Sequence, residues 1–135
     1  RKGRFAFSGG IMLEIGLKNA ATRIVGEADT AVAHGSGSLQ VFATPAMIAF
    51  MENTAMESVQ PFLAEGECTV GTRMDVKHMA ATPVGREGRC ESELVEIDRR
   101  RLVFAVRAYD ARGTIGEGTH ERFIVNNEKF MAKLQ

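Results

Sequence analysis

The sequence predicts an α+β fold in the order β-α-β-β-β-β, with one long central helix wrapped by a curved antiparallel sheet. Residues 44 to about 63 contain no internal glycine and carry helix punctuation at both ends. Beyond Gly66 the apolar period changes to two, the period of a strand. The later strand-like runs are separated by spacers short enough for antiparallel hairpins. A lone amphipathic helix has to bury its apolar face, and a sheet curled around it is the available partner.

Taken in order, residues 20–33 spread Ile24, Val25, Ala31 and Val32 among polar positions and predict a half-exposed strand. His-Gly-Ser-Gly-Ser at 34–38 has the composition of a loop. Thr44 and Pro45 then open the helix, threonine as a good N-cap and proline as a favoured first helical residue. Pro61 and Gly66 mark its end. Residues 68–80 alternate, with Val70, Thr72, Met74, Val76 and His78 on one face and Arg73, Asp75 and Lys77 on the other. Runs at 87–97, 101–110 and 114–125 follow, separated by Asp-Arg-Arg at 98–100 and Ala-Arg-Gly at 111–113. A strand, the helix and a four-strand meander are expected.

The 135 residues fit one domain, with 44% apolar and 25% charged residues. Seventeen basic residues balance seventeen acidic ones, so bulk charge favours neither nucleic acid nor an anionic membrane. Apolar runs fall short of the roughly 20 residues that span a bilayer. Cys68 and Cys90 fall in separate predicted strands and read as reduced, semi-buried residues, which places the protein in the cytoplasm. Residues 1–11 are basic and glycine-bearing without the apolar core of a secretory signal. They are expected to be an appended remnant or a disordered N-terminus, leaving a single domain at 12–135.

Two polar residues stand on faces that should be apolar. At about 100° per residue, Ile48, Ala55, Met56, Val59 and Leu63 all point within roughly 60° of Glu52. A buried, unpaired carboxylate can have its pKa raised by about 3–5 units, a large penalty beside a total stability of about 5–15 kcal/mol. A protonated glutamate, a structural ion pair or a face open to solvent would each explain Glu52 without function. His78 occupies the inward register of its strand, where the plain alternative is a satisfied core histidine. Helix and inner sheet face must pack together, so the pair is a candidate base or nucleophile with a tuning partner. Thr44 caps the helix on the plain reading; on the functional one, a helix N-terminus there stabilises a developing oxyanion.

Particular segments carry a family resemblance. They are Val-Phe-Ala-Thr-Pro at 41–45 leading into Met51 and Glu52, Gly71-Thr72, and Val-Lys-His-Met-Ala-Ala-Thr-Pro at 76–83 with Gly85. Gly-Glu-Gly-Thr-His-Glu-Arg at 116–122 and Glu-Lys-Phe at 128–130 complete the set. From about residue 16 onward the chain resembles the hot-dog-fold thioesterases, in the fluoroacetyl-CoA-thioesterase-like branch. The resemblance implies hydrolysis of a small or medium acyl-CoA to free acid and CoA, with Thr44, Glu52 and His78 as the catalytic set. Glu52 would attack the thioester carbonyl or activate water toward it, His78 would assist proton transfer, and Thr44 would orient the acyl end. It further implies a homodimer with active sites at the subunit interface, and no metal or redox cofactor. Phe42, Gly71, Thr72 and His120 are the expected substrate-binding residues. Gly71 would let substrate approach the backbone, although a strand glycine equally marks a bulge. Residues 34–40, where the fluoroacetate-specific enzyme has an aromatic-bearing lid, are Gly/Ser-rich with no aromatic before Phe42, so another short or medium acyl group is expected.

Weaker signals remain open. His120 either touches the site or packs structurally, and His34 reads as solvated. Arg99, Arg100 and Arg101 either meet CoA phosphates or form a solvated turn. Two alternatives stand beside a thioesterase. A hot-dog hydratase would show an Asp-His pair in a local motif, which is missing from the sequence. A non-catalytic acyl-CoA or lipid-binding module would use the same pocket, but an inward glutamate is costly in a mere binder of apolar chains.

Overall fold

The computed structural model describes residues 5–6 and 12–135, with side chains from residue 12 onward. The expectation for residues 1–11 lies outside the described residues, apart from the backbone of Phe5–Ala6 (β1), which pairs with Met12–Leu13 (β2). The main sheet contains Lys18–Ile24 (β3), Glu67–His78 (β4), Glu87–Asp98 (β5), Arg101–Asp110 (β6) and Gly113–Asn126 (β7). Its strands are antiparallel in the order β3-β5-β6-β7-β4. The helices are Ala31–His34 (α1), Thr44–Val59 (α2) and Asn127–Ala132 (α3).

The α+β class and the long helix agree with the sequence reading. Helix α2 ends at Val59, and a 3-10 turn over Gln60–Phe62 carries Pro61. Its buried side chains, including Met47, Met51, Ala55 and Val59, meet Leu94, Leu102, Phe104, Val106 and Ile124 of the sheet in one core. Each such large side chain, fully buried, contributes about 1.5–3 kcal/mol.

Three local expectations are overturned. The strand predicted over 20–33 stops at Ile24, because short-range capping takes over. Gly26 N–H donates to Asp29 Oδ2 (2.9 Å), Ala33 N–H donates to Thr30 Oγ1 (3.1 Å), and Gly35 closes α1 at φ 68°. The four-strand meander shrinks to β5-β6-β7. The segment after β4 does not turn back as a hairpin. It is held by the Val41–Pro83 bridge and by Phe42 N–H donating to Thr82 O (2.8 Å), so β4 lies at the far edge beside β7. Helix α3, unanticipated, is capped by Asn126, whose side chain accepts from Lys129 N–H (3.0 Å).

The third correction concerns the inner face of β4. A bulge shifts its register on β7 between Gly71 and Arg73. An extra residue exchanges the faces of everything beyond it. The inward set is therefore Glu67, Thr69 and Gly71 before the bulge, and Met74, Val76 and His78 after it.

Candidate active site

Two polar clusters form along β4, at different heights. The first lies where the strand ends beside the start of α2. Ala43 is the N-cap there: its backbone is extended (φ −74°, ψ 143°) and its carbonyl accepts from Met47 N–H at 2.9 Å. Thr44 is thus the first helical residue rather than the cap, and its hydroxyl is free for another partner. It hydrogen-bonds His78 Nδ1 at 2.7 Å. His78 is half-buried, and its Nε2 is buried with no protein hydrogen-bond partner among the described residues. Burial holds the imidazole below its ordinary pKa, with the Ala80 backbone acting in the opposite direction. A neutral ring with one nitrogen engaged and the other uncommitted can move a proton.

The second cluster surrounds Glu52, and its position differs from the expected centre of the apolar arc. The buried residues of α2 include Met47, Met51, Thr54, Ala55 and Ser58, whereas Ile48, Glu52 and Met56 form a half-buried flank. The reason is tertiary. Helix α2 packs chiefly on β5, which turns the flank bearing Glu52 toward β4. There the carboxylate occupies the space Gly71 leaves: a Cβ at Gly71 would sit 2.9 Å from Glu52 Oε2, 3.3 Å from His120 Cε1 and 3.4 Å from Arg122 Nη1.

Behind that carboxylate lies a fixed network. Arg122 is buried, donating from Nε to Thr69 Oγ1 (2.7 Å), from Nη2 to Thr69 O (2.9 Å) and from Nη1 to His120 Nε2 (3.0 Å). Since a guanidinium only donates, His120 Nε2 must accept, and the proton belongs on Nδ1, which donates to Arg73 O at 2.8 Å. Burial lowers the His120 pKa. The Arg73 carbonyl raises it, Arg122 lowers it further, and the Glu52 charge raises it. Burial also lowers the Arg122 pKa, against the opposing pull of Glu52. The Glu52 charge thus acts through space on both buried groups.

The expected residues divide accordingly. Thr44 meets His78, and Glu52 stands over Gly71, on a gap that His120 and Arg122 also border. The two groups do not meet within the chain: Gly71 and His78 are seven positions apart on β4, roughly 20 Å of strand. Thr72 is a correction. The bulge turns it onto the outer face, where its hydroxyl donates to Glu121 Oε2 at 2.7 Å. Phe42 is buried in the core. Cys90 is buried with its thiol pushed up to about 11, and both cysteines are free. The sequence reading did not single out Arg122 and Thr69. The signal for Arg122 was present, because it stands two residues beyond His120 and so shares its inward face.

The fluoroacetyl-CoA-specific thioesterase family model matches residues 25–128. A fluoroacetyl-CoA thioesterase from Streptantibioticus cattleyicolor is 42% identical over 96 residues, covering 71% of this chain and 69% of the relative. A solved fluoroacetyl-CoA thioesterase structure superposes with a TM-score of 0.86 at 34% identity, covering 90% of this chain and 95% of the other. A Thermus thermophilus protein of the thioesterase superfamily superposes at 0.82 with 26% identity over 89% of each chain. A hot-dog-like protein from Thermanaerovibrio acidaminovorans, at 22% identity and TM-score 0.82, shows the same fold.

Proposed function

The chain belongs to the fluoroacetyl-CoA-specific thioesterase family, and on that premise we propose that it hydrolyses a short or medium acyl-CoA through Thr44, Glu52 and His78. The observation that carries this reading is the Glu52 carboxylate, seated over the Gly71 gap that the buried Arg122 and His120 also border. A carboxylate held there attacks the thioester carbon or takes a proton from the water that does. As the new C–O bond forms, the C–S bond breaks and the CoA thiolate takes up a proton; where Glu52 itself attacks, water then cleaves the resulting acyl–Glu52 anhydride, releasing the free acid and restoring the carboxylate. His78 Nε2, uncommitted to the protein, is the atom suited to that transfer, with Thr44 fixing the ring through Nδ1. The reaction uses no metal or redox cofactor.

Each site is completed by a second copy. Strand β4 is an edge strand of 12 residues, with backbone groups facing outward to pair. Antiparallel pairing with the β4 of another copy, about a two-fold axis midway between residues 71 and 78, lays Thr44 and His78 of one copy over Glu52 and Gly71 of the other. That arrangement supplies the contact one chain lacks and makes the homodimer the working unit. The lid region at 34–40 carries no aromatic side chain, which supports an acyl group other than fluoroacetyl. With two free cysteines and, among the described residues, no helix able to cross a membrane, a cytoplasmic setting fits.

A panel of acyl-CoAs from acetyl to medium-chain and aryl, followed by trapping of free CoA thiol, tests this reading. Turnover that disappears in a folded Glu52→Gln variant is the expected result. Binding of CoA with no turnover anywhere on the panel would favour a non-catalytic acyl-CoA module.

A further inference from the structure

Gly71 and His78 lie an odd number of residues apart on β4, yet both face α2: Gly71 borders Glu52, and His78 bonds Thr44. A regular strand would send one of them to the outer face, because its side chains alternate with a period of two. The register shift on β7, with Thr72 as the extra residue, is therefore what puts both halves of the site on one face. Three consecutive residues of β7 grip this bulge. His120 and Arg122 hold it from inside: His120 Nδ1 donates to Arg73 O at 2.8 Å, and Arg122 Nη2 donates to Thr69 O at 2.9 Å. Glu121, between them, points outward and holds it from the other face, its Oε2 accepting from Thr72 Oγ1 at 2.7 Å. Arg101 Nε donates to Glu121 Oε1 at 2.6 Å, and its Nη1 donates to Glu96 Oε2 at 2.8 Å. Glu96 itself stands at a register shift between β5 and β6, so the outer network ties two bulges together across the sheet. Isolated surface ion pairs contribute little. Here the bonds are short and charge-assisted, and the Arg101 and Glu121 side chains are only 33% and 19% exposed.

We propose that Glu121, fixed by Arg101, is a positioning residue for the hydrolysis, an inference that rests on the acyl-CoA reading above. It faces away from α2 and acts through the backbone, by tying the Thr72 hydroxyl so that the extra residue stays at position 72. The place of that residue decides which side chains reach the site. A bulge displaced toward the start of β4 would turn Gly71 out from beneath Glu52. One displaced toward the end of the strand would turn out Met74 first, then Val76 and His78 in turn. Threonine suits the unpaired position because its hydroxyl reaches Glu121, whereas a valine of the same shape offers that carboxylate nothing to hold.

The test compares Thr72→Val, Thr72→Ser and Glu121→Ala in the full chain. Thr72 is exposed, and valine keeps both its shape and its preference for strands, so folding should be retained. With an acyl-CoA that the wild type hydrolyses, kcat should fall about 10-fold in Thr72→Val and in Glu121→Ala, with KM within about 2-fold. Thr72→Ser should bring kcat back to within about 2-fold of wild type. A Thr72→Val/Glu121→Ala double variant should lose little more than either single one, because both remove the same bond. Hydrogen exchange supplies a readout that needs no turnover. Protection of the β4 amides from Arg73 to His78 should fall about 10-fold in Thr72→Val, while that of β5 and β6 stays unchanged. Wild-type kcat in Thr72→Val, or a loss that serine does not restore, overturns the assignment. A fall in protection spread evenly over the sheet does the same, since it marks a general stabilising role. If the wild type hydrolyses no acyl-CoA, the thioesterase reading fails, and the exchange pattern by itself supports or overturns Glu121 as the holder of the bulge. Full activity in every variant leaves that reading intact and removes the positioning role.

Discussion

Adding one methyl group at Gly71 tests whether the Glu52 carboxylate has to stand where the structure holds it. Gly71 has no positive φ, so its backbone accepts alanine. The new Cβ would lie 2.9 Å from Glu52 Oε2, whereas an ordinary carbon–oxygen contact needs about 3.4 Å; the difference is about 0.5 Å of required movement. His120 and Arg122, at 3.3 and 3.4 Å, are pinned by the Arg73 carbonyl and by Thr69. The end of the flexible glutamate is what gives way. Little stability should be lost, under about 1 kcal/mol, because no backbone atom is touched. Catalysis is less forgiving. A displacement of about 1 Å at a reacting group can cost 10²-fold, so kcat/KM should fall about 10- to 100-fold, or ~1.4–2.7 kcal/mol of transition-state stabilisation. Acyl-CoA hydrolysis measured by thiol trapping, alongside thermal unfolding, separates the two effects. In a Glu52→Gln background the same methyl should add little, since the two changes act on one group. A folded Gly71→Ala protein with turnover within about 3-fold of wild type would refute the positional argument. A loss of several kcal/mol with normal activity per folded molecule would make Gly71 a packing residue.

Gly118→Ala is the structural contrast: its Cβ would fall 2.1 Å from the Asp75 carbonyl oxygen and 2.6 Å from Val76 Cα, so β4 and β7 cannot stay paired. Denaturant unfolding should show a loss above about 3 kcal/mol or failure to fold, and a near-wild-type midpoint would contradict the strand packing. Thr44→Val removes the hydroxyl that holds His78 Nδ1 and should lower kcat/KM about 10- to 100-fold, whereas Thr44→Ser should recover most of it; equal activity in all three would detach Thr44 from the chemistry. Stability should also depend on pH through His78 and His120, both of which burial holds below the ordinary histidine value in the folded state. The unfolded chain binds those protons first. Their stabilising contribution is therefore complete above about pH 6.5 and is lost as pH falls toward the depressed folded values. Thermal unfolding at constant ionic strength from pH 8 to pH 5 should show this decline, and a flat profile would mean neither ring is held neutral.

Much of the fold was legible because it is written in local patterns. The uninterrupted stretch from Thr44, the period of two after Gly66 and the three-residue spacers at 98–100 and 111–113 each depend on neighbours a few positions away. Residue chemistry marked Glu52 and His78 in the same way, as polar groups at positions that periodicity makes apolar. Short-range capping was also within reach. Thr30, Asp29 and Gly35 are recognisable helix signals that the apolar reading of 20–33 overrode.

What tertiary structure alone decided concerns contacts between distant segments. Alternation along β4 gives no sign of a bulge, because the extra residue is defined only against β7; that one shift sent Thr72 outward and brought Gly71 beneath Glu52. The angular position of Glu52 was right as helix geometry, but which side of α2 faces the sheet is set by its packing on β5. The edge position of β4 and the convergence of Thr69, His120 and Arg122 likewise follow from strand order. The sequence by itself determined the elements and the chemistry they carry, since both depend on residues close along the chain. Their mutual placement was decided by long-range packing, in which a glycine gap and one bulge choose the partners of each charge.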